Sequence, residues 1–522
     1  MNRPVSLVSS AALVCFLAAC IALVKLERSG PAHTDVWLEG GVPATLFLPG
    51  ERRGRQAFFD PPPEAERPAA VVLMHGFAGD RRMLSGLARR FAEGGVAVLT
   101  IDAAGHGENR NPYRRSLAQG GAFVADVGAA VDFLRMSPLV DGLRVAVGGH
   151  SMGAAAALDY ATRDSAVAAA VMISGGRRLD GPFPPANALF LYAAGDPART
   201  RDRADVLAAR VAGVARLAPG RSHGAPERGD AVRVVEVAGA GHLSILWSEE
   251  AVRETLDWLR AAFGTPPHAG ATPGDPRAPL FGLLALSFLL VLPGLGLLAA
   301  RLAPARREVS GAGRFRDLAW LGAALVLAML LVANAPRLVP VPLVVGDTLA
   351  SLFAVAGLAL LVALQLRRAD LLVGVFERPW ATLWAAAVTL AALACLLQPF
   401  AGALHGLALT PERQLAWLGT TLAFLPLALA FNLLFRRGSA GGASLAALCG
   451  RAVTFLVLAL GVWLGVLAPA LGLLLPALAG LALILELPAF FLHASSRNVL
   501  AITLVEAGWL ALVTAAIMPT RG

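Results

Sequence analysis

The sequence is poor in charge and has almost no lysine. Charged residues make up 16% of its 522 residues and hydrophobic residues 56%, and the mean hydropathy is +0.63. This composition excludes an ordinary soluble enzyme, so much of the chain must lie in lipid. Lys25 is the one lysine among 45 basic residues. Together with abundant alanine, this bias towards arginine indicates a GC-rich bacterial genome.

Cysteine is also scarce, and its placement excludes two kinds of site. The four cysteines lie in or beside apolar segments, at Cys15, Cys20, Cys395 and Cys449. The polar region between Cys20 and Cys395 therefore does not depend on disulfides. The nine histidines are scattered and far from the cysteines, so the sequence contains no visible metal site and predicts no cofactor.

The apolar residues are concentrated rather than spread along the chain. Charge and hydrophobicity alternate normally between residues 33 and 263, whereas almost everything from Leu280 onward is leucine, alanine or valine. A segment rich in Pro and Gly separates the two regimes. The sequence therefore predicts an N-terminal membrane anchor or signal at 1–28, an α/β domain at 29–263, a Pro/Gly-rich linker at 264–278 and a polytopic transmembrane domain at 279–522.

The C-terminal region contains several windows long enough to span a bilayer, which takes about 20 apolar residues. These windows are apolar on all sides, whereas the helices of a soluble core would keep a polar face. We predict an all-α bundle of about eight transmembrane helices, with the count open where Pro469 and Pro476 interrupt one long run. Their approximate bounds are 280–300, 318–332, 348–366, 380–397, 415–435, 452–468, 471–492 and 499–518.

An additional apolar segment at residues 5–24 follows Arg3 and precedes Lys25. Three interpretations fit it: a cleaved signal peptide, a retained transmembrane anchor, or a lipoprotein signal with Cys20 as the lipidated residue. The residues directly after Cys20 are still apolar, where a flexible polar tether is expected. This favours the retained anchor.

Arginine is distributed unevenly among the breaks between the apolar windows. The first break holds Arg301, Arg306, Arg307, Arg314 and Arg316, and alternate later breaks hold Arg367, Arg368, Arg378, Arg436, Arg437, Arg451 and Arg497. The intervening breaks hold at most Arg337 and Arg413. Because arginine collects on the cytoplasmic side, the α/β domain is predicted on the opposite side of a bacterial inner membrane. These arginines account for much of the net charge of +9, so no nucleic-acid partner is predicted.

Two carboxylates stand out within the apolar windows. Glu486 and Glu506 lie ten residues on either side of Ser496, in the break between the last two windows. An antiparallel hairpin would hold them at similar depth, where they could share a proton or receive a cationic partner. The alternative is that each lies near an interface or bonds a neighbouring helix.

The pentapeptide Gly149-His150-Ser151-Met152-Gly153 follows the apolar run 143–147 and precedes the helix-prone run 154–160. This order places Ser151 on a sharp strand-to-helix turn. The two glycines lack a Cβ, so the chain can bend tightly there and the helix can pack close to the strand. At the start of that helix, the backbone N–H of Met152 is free to donate a hydrogen bond.

Three further strand ends carry residues that would make such a serine reactive. The run 69–74 ends in His75-Gly76-Phe77, a glycine-rich turn that can aim the Phe77 N–H at an oxyanion. The run 188–193 leads into Asp196, and the run 232–237 is followed by a flexible turn with His242. The chain order is therefore Ser, Asp, His.

Over residues 33 to 263 these motifs resemble those of the α/β-hydrolase fold serine hydrolases, which include esterases and lipases. The resemblance implies a doubly wound, mostly parallel sheet. It also implies that Ser151 is the nucleophile, His242 the general base and Asp196 the residue that orients the imidazole. The N–H groups of Phe77 and Met152 would form the oxyanion hole. Residues 102–107 are similar to the family's Asp-x-Arg-Gly-His-Gly, but Ala104 stands where Arg is usual.

Several residues compete with these assignments. Asp202 is an alternative to Asp196, although it lies in a run that indicates an exposed helix start. His75, His106 and His150 occupy motif positions that favour loop packing over catalysis. His223 lies in a polar run and is predicted to be solvated.

The function predicted from these residues is cleavage of an ester or related acyl bond through an acyl-serine intermediate. About thirty residues separate the helix after Ser151 from the strand before Asp196. They leave no room for a large lid, which favours an open cleft for modest esters, while an acyl-lipid substrate stays possible. Membrane lipid is the predicted partner, and the oligomeric state is open. The alternatives are an acyltransferase with a lipid acceptor, or a non-catalytic ligand-binding transport or sensor protein.

Overall fold

The chain folds into two compact units. The computed structural model describes residues 2–50, 59–113, 121–177, 181, 184–265, 275–305, 315–335, 338–367, 373, 375–401, 406 and 409–521. The α/β unit consists of residues 22–279, 400–406 and 519–522, and the helical unit of residues 1–21, 280–399 and 407–518. Most of the predicted linker at 264–278 lies outside the described residues.

The α/β unit is built on one sheet, which has nine strands among the described residues. They are β1 (Ala32–Leu38), β2 (Val42–Leu48), β3 (Ala70–Met74), β4 (Ala97–Ile101), β5 (Val145–His150), β6 (Ala170–Ile173), β7 (Ala188–Ala193), β8 (Ser222–His223) and β9 (Val232–Val237). The spatial order is β1-β2-β4-β3-β5-β6-β7-β9-β8. The six strands from β4 to β9 in this order are parallel. The edge strands β1 and β8, and β2 beside β1, are antiparallel to their neighbours.

Helices cover both faces of this sheet. They are α2 (Ser85–Glu93), α3 (Gly121–Met136), α4 (Met152–Ala161), α5 (Ala198–Val211) and α6 (Glu249–Phe263). Val72 packs in one apolar cluster with α3 and α4, and its neighbour Val71 packs in the opposite cluster with α2 and α6. Alternate residues of a strand point to opposite faces, so a strand covered on both sides is a continuous apolar run. The predicted doubly wound, mostly parallel sheet is confirmed.

The helical unit contains most of α1 (Asn2–Ser29) and the helices of the C-terminal half. These are α7 (Ala278–Leu302), α8 (Phe315–Asn334), α9 (Gly346–Arg367), α10 (Pro379–Leu397), α11 (Pro411–Phe435), α12 (Ala440–Trp463), α13 (Pro469–Ile484), α14 (Glu486–Ser496) and α15 (Val499–Ile517). With α13 and α14 taken as one span, the described chain has nine helices long and apolar enough to cross a membrane. The predicted helical bundle and N-terminal apolar helix are confirmed.

Two of the predicted helices have different bounds in the structure. Helix α12 begins at Ala440 rather than at residue 452, because the Ser439 side chain accepts a hydrogen bond from the Gly442 N–H and caps the helix. Arg451 therefore lies within α12 and not in a loop. The helix predicted at 471–492 begins at Pro469 and is divided at Leu485 into α13 and α14, and Pro476 lies inside α13 as predicted. Proline is tolerated within apolar helices where neighbouring groups satisfy the freed carbonyl.

Candidate active site

Ser151 sits in a strained backbone turn between β5 and α4. Its φ is 53° and its ψ is −107°, and its N–H donates to the Ile173 carbonyl at 2.8 Å. Such a conformation is costly for a residue with a side chain and persists where the surroundings enforce it. A Cβ added to Gly153 would collide with the Met74 and His75 carbonyls. The glycine therefore lets α4 start close against β3, which holds the turn.

The structure brings Ser151, His242 and Asp196 together. Nε2 of His242 lies 3.2 Å from Oγ of Ser151, and its Nδ1 lies 2.5 Å from Oδ1 of Asp196. Both distances lie within hydrogen-bond range. The Asp196 side chain is fully buried, and the His242 side chain is 22% exposed. A hydroxyl, an imidazole and a carboxylate in this order form the arrangement that activates a serine nucleophile.

Asp196 is held by donors on both of its oxygens. Its Oδ2 accepts from the Ser174 hydroxyl at 2.6 Å and from the Ala193 N–H at 2.8 Å. Burial opposes ionisation and is the largest single influence, but the bonds from His242, Ser174 and Ala193 outweigh it and lower the pKa of Asp196. The competing Asp202 lies exposed on α5.

His150 supports the backbone of His242. Its Nε2 lies 2.7 Å from the His242 carbonyl oxygen, and because a carbonyl only accepts, Nε2 carries the proton. The two rings lie 4.9 Å apart at an angle of 52°. Burial, followed by the proximity of His242, lowers the pKa of His150 to about 4. His150 is therefore neutral at pH 7 and acts as a positioning residue.

The turn after β3 lies against Ser151. His75 donates from Nδ1 to the Gly76 carbonyl at 2.7 Å and accepts at Nε2 from the Ala103 N–H at 3.1 Å. A Cβ added to Gly76 would lie 3.2 Å from the Ser151 Cβ. Among the described residues, the N–H groups of Phe77 and Met152 have no hydrogen-bond acceptor. Their role as the oxyanion hole stays a prediction.

Arg81 and Ser174 are two residues that the sequence did not identify. Arg81 donates to the buried carboxylate of Asp102 from its backbone N–H at 2.7 Å and from Nη1 at 2.5 Å, and its Nη2 lies 2.6 Å from Glu108. A guanidinium is thus present beside Asp102, although Ala104 replaces the usual arginine. For Ser174, the available signal was its position directly after β6, at the same sheet edge as Ser151 and Asp196.

Aromatic side chains form a wall beside the turn after β3. The Phe77 ring lies 5.9 Å from His106 and 6.3 Å from Tyr113. His106 is buried and bonds the Ala104 carbonyl at 3.0 Å, so it packs the loop. His223 is exposed in β8. Among the described residues, no three His, Cys, Asp or Glu side chains are grouped so that they could hold a metal ion.

Part of the α/β unit is also similar to known proteins. Residues 65–204 match the family model "Serine aminopeptidase, S33". Two uncharacterized proteins of Mycobacterium tuberculosis, from strains CDC 1551 and H37Rv, are 38% identical over 95 residues. This stretch is 18% of the present chain and 32% of each relative, so the chain spans about a third of their length.

Two solved structures are similar to about half of the chain. A puromycin-hydrolyzing peptidase of M. tuberculosis is 18% identical, with a TM-score of 0.33, and the match covers 47% of this chain and 41% of the other. An esterase of Pyrobaculum calidifontis is 19% identical, with a TM-score of 0.32 and coverage of 48% and 92%. The α/β unit has the α/β-hydrolase fold, and within it residues 65–204 match a serine hydrolase family model. The protein joins this domain to a region of long apolar helices.

Proposed function

We propose that the protein is a membrane-bound serine hydrolase that cleaves an ester or related acyl bond through an acyl-serine intermediate. The observation that carries this proposal is the pair of contacts made by His242, 3.2 Å to Ser151 and 2.5 Å to Asp196. The strained φ of Ser151 supports it as well, because strain of this kind clusters at functional sites.

The contacts assign a role to each residue. Nε2 of His242 takes the proton of Ser151 as its Oγ attacks the substrate carbonyl, and Asp196 stabilises the imidazolium that forms. The N–H groups of Phe77 and Met152 donate to the oxyanion of the tetrahedral intermediate. His242 then gives its proton to the leaving alcohol. Water, deprotonated by His242, attacks the acyl-serine and releases the acid.

The proposed substrates are modest esters in an open cleft. Between α4 and β7 the described chain contributes only the short strand β6, which supports the absence of a large lid. The family description "Serine aminopeptidase" favours a second candidate, hydrolysis of an amide next to a free amino group. Amide and ester substrates share the acyl-serine step and differ in the leaving group, so rates on matched substrates separate them.

We place the protein in a bacterial plasma membrane, with the α/β unit on the non-cytoplasmic side. The nine long apolar helices support membrane insertion. Arginines at alternate breaks support the orientation, and those in the described residues are Arg301, Arg316, Arg367, Arg378 and Arg497. Arg436, Arg437 and Arg451 support it less, because each is buried in ion pairs with carboxylates.

The test is labelling of intact cells with a membrane-impermeant fluorophosphonate. We expect labelling of the wild type and of Ser165→Ala, which removes an exposed serine of the same unit, and none of Ser151→Ala. Labelling only after lysis would reverse the orientation. The absence of labelling in both states would contradict the enzyme assignment.

The substrate class is tested by measuring turnover of matched substrates with the purified full-length protein. We expect faster turnover of p-nitrophenyl butyrate than of an aminoacyl p-nitroanilide, with both activities lost in Ser151→Ala. The reverse preference would favour the aminopeptidase. Product analysis with an added lipid alcohol separates hydrolysis from acyl transfer, because transfer yields a new ester in place of the free acid.

A further inference from the structure

Four charged side chains meet inside the helical unit. Arg436 ends α11, Arg451 lies on α12, Glu486 begins α14 and Glu506 lies on α15. Both oxygens of Glu486 bond Arg436, one of them at 2.7 Å, and Oε1 of Glu506 lies 2.5 Å from Nη2 of Arg451. Weaker contacts of 3.3 and 3.4 Å complete the ring. Two cations and two carboxylates make this cluster neutral.

The two arginines of the cluster are not equally satisfied. Arg436 bonds Asn432 through Nε at 3.2 Å and uses both of its terminal nitrogens on the carboxylates. Arg451 bonds the carboxylates through Nη2, but its Nε–H has no acceptor among the described residues. Arg451 is only 7% exposed. A buried N–H without an acceptor is costly, so this group can gain from a bound acceptor.

Arg451 and Glu506 also line a cavity of about 100 Å³ that lies between α9, α11, α12, α13 and α15. Most of the wall is apolar and includes Phe353, Phe424, Phe431, Phe455, Leu458 and Leu510. One water-sized group needs about 10–15 Å³ on this measure, so the cavity has room for a chain of several carbons. Its chemistry is that of an apolar slot with one polar end.

The donors at the polar end are limited, because the threonine hydroxyls there have already donated their protons. Thr454 and Thr514 line the cavity, but their hydroxyls donate to the Gly450 and Leu510 carbonyls of their own helices. Glu506 accepts from Arg451 and from Asn432 at 2.9 Å. The guanidinium of Arg451 is therefore the donor available to a ligand that supplies an oxygen acceptor.

We propose that this cavity binds a lipid-like molecule with an apolar chain and an uncharged oxygen, an alcohol or an ester carbonyl, that accepts a hydrogen bond from the guanidinium of Arg451. An uncharged end fits because the cluster is already neutral, and a carboxylate would add an uncompensated charge. This site lies within the helical unit. It goes beyond the proposed hydrolysis and does not rest on it.

The first test compares ligands that differ only in the polar end. Full-length protein in nanodiscs is photolabelled with a diazirine derivative of hexadecanol, and hexadecanol, methyl hexadecanoate, hexadecane and hexadecanoate compete for labelling. We expect hexadecanol or methyl hexadecanoate to compete better than hexadecane or hexadecanoate. The stronger of the first two shows whether a free alcohol or an ester is the source. Equal competition by hexadecane, or the strongest by hexadecanoate, would overturn the proposal.

Arg451→Lys sharpens this comparison, because it keeps a positive charge for Glu506 and removes the Nε–H. We expect it to weaken hexadecanol competition about 3- to 10-fold, the value of one hydrogen bond, and to leave hexadecane unchanged. An equal loss for both ligands would show that the substitution damages the cavity as a whole and that Arg451 does not bond the oxygen.

A second pair of variants tests the cavity without touching the charges. Ala428 lines the cavity on α11, whereas Ala459 is exposed on α12 and does not line it. Ala428→Phe should remove most of the labelling, and Ala459→Phe should retain it, with labelled peptides mapped to α12 and α15. Equal labelling of the two variants would contradict binding in this cavity. Fluorophosphonate labelling of Ser151 reports separately on the hydrolase.

Discussion

Asp196 in the α/β unit and Arg451 in the helical unit are both buried charged residues, but their hydrogen bonds are satisfied to different extents. In the α/β unit, both oxygens of Asp196 receive donors, from His242 on one side and from Ser174 and the Ala193 N–H on the other. In the helical unit, Arg451 shares its Nη2 between two carboxylates and leaves Nε–H without an acceptor among the described residues.

We relate this difference to the functions proposed for the two sites. A carboxylate that stabilises an imidazolium must stay ionised and keep one orientation. Several hydrogen-bond donors to its oxygens achieve both. A site that leaves one donor unsatisfied in an apolar slot has a contact to offer to a ligand. For the functions proposed above, the fully bonded Asp196 serves preorganised chemistry, and the unsatisfied Nε–H of Arg451 serves binding.

The largest effect is expected from substitution of Ser151 in the α/β unit. Ser151→Ala should lower kcat/KM for p-nitrophenyl butyrate by about 10⁴-fold or more, because the covalent route is lost. His242→Ala should cost a similar factor, and the double variant little more than either single one, since the residues act as a unit. Additive losses would show that the two side chains work independently.

In the helical unit, the largest effect on stability is expected when one residue of the buried charged cluster loses its charge. Glu506→Gln leaves the cationic Arg451 undercompensated and should lower the free energy of unfolding by about 3–5 kcal/mol. The control is Arg163→Ala, which removes an ion pair with Asp159 whose arginine is 48% exposed, and should cost less than about 1 kcal/mol. Denaturant titration in detergent measures both. Equal losses would contradict the buried character of the cluster.

The two units were also not equally predictable from sequence. Ser151, Asp196 and His242 each follow an apolar strand, and parallel strands end at one edge of a sheet, so their meeting followed from chain order. Ser174 also ends a strand, but a single serine before two glycines has no distinctive pattern. Arg81 was missed because an arginine usually expected at position 104 comes here from a different segment, the turn after β3.

The charged cluster was hidden for a different reason. Glu486 and Glu506 were recognised as unusual, but Arg451 was predicted to lie in a break between two apolar windows. Ser439 starts α12 earlier and carries Arg451 inward. Pairing of residues 35 to 70 positions apart depends on helix packing, which local sequence does not report.

A smaller effect is expected from the contribution of His150 to the pH dependence of stability. Its pKa is lowered to about 4 by burial, from an ordinary value of 6.5. Below pH 6.5 the unfolded chain gains a proton that the folded one does not, so stability falls from pH 6.5 to about pH 4, by about 3 kcal/mol. His150→Gln should lack this part of the slope, while His223→Gln, at an exposed site, should retain it. Thermal melting across this pH range measures the slopes, and identical slopes would contradict the buried, neutral imidazole.

The smallest effect tests whether Asp196 needs both of its side-chain donors. Ser174→Ala removes one bond to the ionised carboxylate and should cost about 1.5–3 kcal/mol of stability at pH 7. Because the folded pKa of Asp196 is lowered, this stability is present above the unfolded value of about 3.9 and is lost as pH falls through the folded pKa. The gap between wild type and variant should therefore shrink below pH 4. Ser165→Ala should show no such gap at any pH. A gap for Ser174→Ala that stays constant into acid would mean that the hydroxyl stabilises packing and not the charge of Asp196.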